Sequence, residues 1–230
     1  MQNVAKIIDQ TYLNKDATNE ELKKIAEETK EYGFRGLCVF PEHVKLVKEI
    51  VGSEIKVTAL VDEPTGTSST EDRLKVINQI KNDGADEADV VMPIDKFKNE
   101  RDYEVLEDLK QVCAILPTKI IIGSGYLTNK EIDRASKMVK SAGAICVKTA
   151  TLNDPLDNTE LPEKAKHIKI MKNATHGLLI KASGAIRSFA DVQMMVLAGA
   201  DIIGTSSGVE IVNEQKGAKK IKETDSRIIE

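Results

Sequence analysis

The chain has 230 residues, enough for one large domain with a well-buried core. Its 33 basic and 37 acidic residues leave a net charge of -4, which excludes the basic face that nucleic acid or an anionic membrane would need. With no Trp, four Tyr and four Phe, interleaved base-stacking platforms are excluded too, and a sugar-sized substrate fits better than a polymer.

The opening MQNVAKIIDQ has no apolar stretch of signal-peptide length, and nowhere do about 18 apolar residues run together, so a cytoplasmic protein is expected. From there, short runs rich in Val and Ile alternate with longer segments of helical spacing rich in Lys and Glu. Lys6 to Asp9 predicts the first strand and Asn19 to Tyr32 the first helix. Gly36 to Phe40 and Pro41 to Val51 form the second pair, with Pro41 suited to a first helical turn. Lys56 to Val61 precedes Thr70 to Asp83, and Glu87 to Met92 precedes Asn99 to Leu116. Lys119 to Gly123 precedes Asn129 to Ala142, where Thr128, Asn129 and Glu131 offer a cap, and Ala144 to Thr149 precedes Glu160 to Asn173. Gly177 to Ala182 with Ser188 to Ala198, and Asp201 to Gly204 with Ser207 to Gln215, complete the series. Three helix-to-strand passages share a glycine, Gly84, Gly143 and Gly199, each expected as a left-handed helix stop.

Eight strand–helix units at about 29 residues each predict an α/β fold, a single-domain (β/α)8 TIM barrel over residues 1–215. Residues 216–230 read as a charged C-terminal tail. A doubly wound open sheet uses the same alphabet, usually with fewer strands. Cys38, Cys113 and Cys146 lie in apolar runs with no CxxC pairing, as reduced core thiols would.

In such a barrel the active site lies at the C-terminal ends of the strands. That filter selects Lys148, after Ala144-Ile145-Cys146-Val147, and Lys181, after Gly177-Leu178-Leu179-Ile180, both aimed at the barrel mouth. A lone lysine on an apolar strand is usually a snorkelling surface residue. Two on adjacent strands disfavour each other's charge, and a neutral amine attacks a carbonyl where an ammonium cannot. Asp89 reads either as a partner for a buried lysine or as an acid/base on a substrate hydroxyl, and Asp9 is a weaker candidate of the same kind. Thr11, Thr149 and Thr151 flank these positions as candidate substrate-binding hydroxyls. Phosphate sites in barrels often follow the seventh and eighth strands, where Ser183, Gly184 and Ala185, and then Gly204, Ser206 and Ser207, supply the small residues such a site needs. Arg187 belongs to the first of these stretches. His43, His167 and His176 are expected at the surface, and no metal site or cofactor is expected.

The motifs Ile8-Asp9-Gln10-Thr11, Cys38-Val39-Phe40-Pro41, Asp86 to Val91, Gly125-Tyr126-Leu127-Thr128, Val147-Lys148-Thr149-Ala150-Thr151, Ile180 to Arg187, and Ala198-Gly199-Ala200 through Gly204-Thr205-Ser206-Ser207 together resemble the deoxyribose-phosphate aldolase family. The match runs through most of the chain. It implies a metal-free class I aldolase that cleaves 2-deoxyribose 5-phosphate to acetaldehyde and glyceraldehyde 3-phosphate. By position it makes Lys148 the Schiff-base lysine, Lys181 the cation that disfavours its protonation, and Asp89 the proton-relay carboxylate.

The chain departs from the family pattern where Leu152 stands for a usual Gly, Ala185 for the second glycine of Ser-Gly-Gly, Gln10 for His, Gly123-Ser124 for Glu-Thr, and Asp62 to Ser68 for a segment with Phe-Pro-Leu-Gly. These changes bear on substrate identity and efficiency. A related class I aldolase acting on another phosphorylated aldehyde, a catalytically weak phosphosugar-binding barrel and a cofactor-free phosphosugar isomerase stay open, the last without a His and Glu pair at strand ends. Barrels of this kind commonly pair through helix faces, so a homo-oligomer, dimer or tetramer, is an open expectation.

Overall fold

A computed structural model describes residues 3–155 and 160–228, with side chains described through residue 218. Eight parallel strands close into a barrel in sequence order, β1 (Ile8–Thr11), β2 (Gly36–Val39), β3 (Lys56–Val61), β4 (Glu87–Val91), β5 (Thr118–Ile121), β6 (Cys146–Lys148), β7 (Leu179–Ser183) and β8 (Ile202–Thr205). The barrel closes where Asp9 of β1 pairs with Gly204 of β8. Around it run α1 (Asn19–Tyr32), α2 (Val44–Val51), α3 (Thr70–Asn82), α4 (Ile94–Lys98), α5 (Asp102–Cys113), α6 (Asn129–Ser141), α7 (Leu161–Thr175), α8 (Phe189–Ala198) and α9 (Gly208–Ile228). This is the expected (β/α)8 TIM barrel.

Local chemistry sets the ends of the helices. Thr18 with Glu21, Thr128 with Glu131 and Ser188 with Asp191 form reciprocal capping boxes that satisfy the first amide groups of α1, α6 and α8. Gly84, Gly143 and Gly199 hold φ of 96°, 83° and 115°, the left-handed conformation expected at these helix stops. The apolar helix faces pack on the outside of the sheet, giving an annular core that includes Val47, Ile77, Leu109, Val139, Ile168 and Met195.

Several boundaries differ from the sequence expectation. The apolar start Val4–Ile7 winds into a 3-10 turn capped by Asn3, and the first strand follows it at Ile8. Pro41–His43 is likewise a 3-10 turn ahead of α2. The single helix expected over Asn99 to Leu116 is two, α4 and α5, because Asn99 ends α4 and Glu100 turns back at φ 58°. The segment read as a charged tail continues α9 to Ile228, while Met1, Gln2 and residues 229–230 lie outside the described residues.

Inside such barrels, layers of branched apolar side chains are usual. Here Asp9, Glu87, Asp89, Lys119, Lys148 and Lys181 fill much of that space, none more than 4% exposed.

Candidate active site

Lys148 ends β6, and Lys181 is its Cα partner in the register of β7. Both side-chain nitrogens donate to one oxygen, Oδ2 of Asp89, at 2.8 and 2.9 Å. The other oxygen of Asp89 accepts from Lys119, its register partner on β5, at 2.9 Å. Lys119 also reaches Glu87 at 2.6 Å, and Lys181 reaches Asp9 at 2.6 Å. Arg35, just before β2, ties Asp9 at 2.7 Å to Glu87 at 2.8 Å and closes the network from below. Lys56 joins Glu87 at 2.6 Å from the solvent side.

Packing makes room for these groups. A Cβ on Gly204 would stand 3.0 Å from Lys181 Cε, and one on Gly36 would stand 3.0 Å from Asp9 Oδ1 and 2.8 Å from the Lys56 carbonyl. Gly204 therefore serves the lysine as well as the loop that follows it.

Charge sets the protonation states. Burial favours the neutral acid at Asp89, but Lys119, Lys148 and Lys181 outweigh it and hold the carboxyl well below the usual carboxylate range. Asp9 is lowered in the same way, against burial, by Lys181, Lys119 and Arg35. Glu87 falls to about 2, where burial is overcome by Lys119 and Arg35. Lys181 is buried too, yet Asp89 and Asp9 raise it above an ordinary lysine, so it is a firm cation. The three thiols are free, and burial pushes Cys146 up to about 12.

Above the network opens a cavity of about 340 Å³, the low end of the size range for small-ligand sites. Lys148 lies at its edge with Thr11, Thr151, Ser183, Gly184, Ala185, Gly204 and Ser206. Leu13, Leu152, Ile186 and Arg187 add an apolar and basic rim. Thr151 Oγ1 is buried there with no hydrogen-bond partner among the described residues. The N–H groups of Gly184, Ala185, Ile186 and Ser206 have no acceptor among the described residues either, so this wall offers donors.

Other residues singled out in the sequence lie behind the wall. Asp9, Asp89 and Lys181 are fully buried below the cavity. Thr149 is buried, its hydroxyl donating to the Ser183 carbonyl at 3.1 Å and accepting the Ser183 N–H at 3.0 Å. Ser207 turns its N–H to Thr205 Oγ1, which itself donates to the Ile186 carbonyl. Gln10, where the family pattern has His, accepts the Gly208 N–H and donates to the Ser206 carbonyl, clamping the end of the β8 loop. Asp62 anchors its loop by accepting from Ser68 and from the buried Arg73.

The histidines correct the surface expectation. His43 is buried and its Nε2 meets the Asn14 carbonyl at 3.0 Å, and His167 is buried on α7 with burial lowering its imidazole below the ordinary value. His176 alone is exposed. Among the described residues no cluster of three or more His, Cys, Asp or Glu is placed to hold a metal ion, and no helix is long and apolar enough to cross a membrane.

Sequence reasoning passed over Lys119, Glu87 and Arg35. Glu87 and Asp89 sit two apart in an apolar run, the strand period that puts both side chains on the same face, and this was the available signal. Lys164, fully buried on α7 and bonded to the loop after β7, carried none, since its helix is rich in lysine.

Comparison with known proteins bears on this geometry. The family model for DeoC/LacD family aldolases matches residues 3–214. The deoxyribose-phosphate aldolase of Caldanaerobacter subterraneus subsp. tengcongensis is 37% identical over 225 residues, covering 94% of this chain and 95% of its own. A solved aldolase superposes with a TM-score of 0.88 at 33% identity, over 96% of this chain and 99% of its own. The deoxyribose phosphate aldolase of Aeropyrum pernix, described as tetrameric, gives 0.82 at 27% identity over 93% and 91%.

Proposed function

The chain belongs to the DeoC/LacD aldolase family, and from that premise we propose that it cleaves 2-deoxy-D-ribose 5-phosphate reversibly through an imine on Lys148. The products are acetaldehyde and D-glyceraldehyde 3-phosphate. The observation that carries this reading is the buried ion network beneath the cavity, with Lys148 at its upper edge. Asp9, Glu87 and Asp89 supply three buried negative charges, Arg35, Lys119 and Lys181 pair with them from inside, and the more exposed Lys56 adds a cation at Glu87. Lys148 shares its acceptor, Asp89 Oδ2, with Lys181 and stands at the edge of the cavity, where a substrate carbonyl can reach its nitrogen. Lys181 holds its own proton on two carboxylates and supplies the neighbouring cation.

The neutral amine adds to the C1 aldehyde of the open-chain sugar, and loss of water gives the protonated imine. Asp89, kept ionised, draws the C3 hydroxyl proton through water as the C2–C3 bond breaks. The electron pair of that bond moves into the imine as an enamine, and glyceraldehyde 3-phosphate leaves. Protonation at C2 and hydrolysis release acetaldehyde and restore the amine. The free N–H groups of Gly184, Ala185, Ile186 and Ser206, with the Ser206 hydroxyl and Arg187, hold the phosphate, and Thr151 meets the sugar.

Trapping tests the reading. Acetaldehyde with borohydride should add a two-carbon group that peptide mapping places on Lys148, and wild type should release acetaldehyde from 2-deoxyribose 5-phosphate. Labelling that persists unchanged in Lys148→Ala would sink the lysine assignment. Phosphosugar binding with no acetaldehyde released would leave a binding barrel instead.

A further inference from the structure

We propose that Lys164 is the positioning residue of the phosphate loop, aiming its amide groups from behind. This rests on the phosphate reading above. Lys164 lies in the first turn of α7, where the helix dipole disfavours a cation, and it is fully buried. Its ammonium donates to the carbonyls of Ser183 at 2.8 Å and Gly184 at 2.7 Å.

Peptide geometry turns those two bonds into a direction. In a trans peptide the carbonyl of one residue and the N–H of the next point to opposite sides. Both peptides here are trans. A Ser183 carbonyl held toward Lys164 therefore sends the Gly184 N–H away from it, and a Gly184 carbonyl held likewise sends the Ala185 N–H away. Those are two of the donors left without acceptors among the described residues, on residues that line the cavity. Gly184, the residue between the two peptides, holds φ 89°, and Ala185 follows it at 57°. The buried ammonium also places a positive charge one peptide unit behind each N–H, polarising both groups toward a bound dianion. Thr149 steadies the first carbonyl with its hydroxyl at 3.1 Å.

The test measures 2-deoxyribose 5-phosphate and 2-deoxyribose as substrates, and inorganic phosphate as a competitive inhibitor, in wild type, Lys164→Met and Lys164→Gln. Lys164→Met keeps the buried stem and removes the charge. It should raise KM for the phosphorylated sugar and Ki for inorganic phosphate together, by about 10- to 100-fold, with kcat within about twofold. Cleavage of 2-deoxyribose should fall far less. Lys164→Gln still donates to one carbonyl, should fall between, and serves if the methionine variant does not fold. Equal losses on both sugars, or a lower kcat at unchanged KM, would overturn the assignment. A wild type that prefers the phosphorylated sugar, with variants that prefer it as strongly, overturns the role of Lys164 alone. A wild type that treats both sugars alike overturns the phosphate reading, and this inference with it.

Discussion

Ala185 occupies left-handed backbone at φ 57° in the loop between β7 and α8, at the position where the family pattern has glycine. A Cβ in that region costs about 1 to 2 kcal/mol, and glycine removes the strain while giving back about 0.5 to 1 kcal/mol of unfolded-state entropy. Ala185→Gly should therefore stabilise the fold slightly, by up to about 1 kcal/mol, as a higher urea midpoint at unchanged slope. A lower midpoint would mean that the methyl group contributes packing worth more than the strain. The neighbouring N–H groups are unaffected by the exchange, so phosphate recognition should survive it. Lys148, Lys181 and Asp89 were legible in the sequence because a charge in an apolar strand is costly without a purpose. Lys164 and Arg35 were not, since each lies outside the strands, and only the closed barrel brings them to the loop and the ion network.

At the scale of elements, the loop Asp62 to Ser68 replaces a common Phe-Pro-Leu-Gly segment with an ionic brace. Arg73 on α3 is 1% exposed and joins Asp62 at 2.7 Å to Asp108 of α5 at 2.6 Å, tying the loop after β3 to two helices. Removing one partner of a buried pair strands the charge of the other, at a cost of about 3 to 5 kcal/mol. Arg73→Leu should lose stability in that range by chemical denaturation. A loss below about 1 kcal/mol would show that water reaches both carboxylates and the brace is weak. The alternation of strands and helices was readable because short apolar runs and start signals such as Pro41 and Thr128 are written locally. The break between α4 and α5 was not, because it turns at Glu100, a residue whose positive φ has no glycine to announce it. The expected strand start at Lys6 failed for a related reason, since a short apolar run reads alike as a strand or as a buried turn, and Lys6 and Ile7 belong to the turn.

Across the whole molecule, ion pairs in the barrel interior couple stability to pH in a definite sense. Asp9, Glu87 and Asp89 have folded-state values depressed below 3.8, 4.5 and 3.8 respectively. Depressed acids stabilise the fold above their unfolded values, and that contribution is lost as pH falls through the folded ones. Lys119 and Lys181 are raised, as are Cys113 and Cys146, the last two to about 12 from 9.0, so their contributions are complete below the unfolded values and vanish as pH climbs past them. Unfolding free energy should thus be level from about pH 7 to 9 and decline on both sides, on the acid side first through the lowered His167 below its ordinary 6.5 and then through the buried carboxylates. Because the pairs are buried, the acid limb should shift little between 0.1 and 1 M salt, concentrations that screen surface pairs. Urea titrations from pH 7 to 3 on wild type and Asp89→Asn measure it. The variant removes one titrating group, so its curve should start lower at pH 7 and fall less steeply below pH 4. Parallel acid limbs in the two proteins would mean that the interior network does not set acid stability, and that surface carboxylates do.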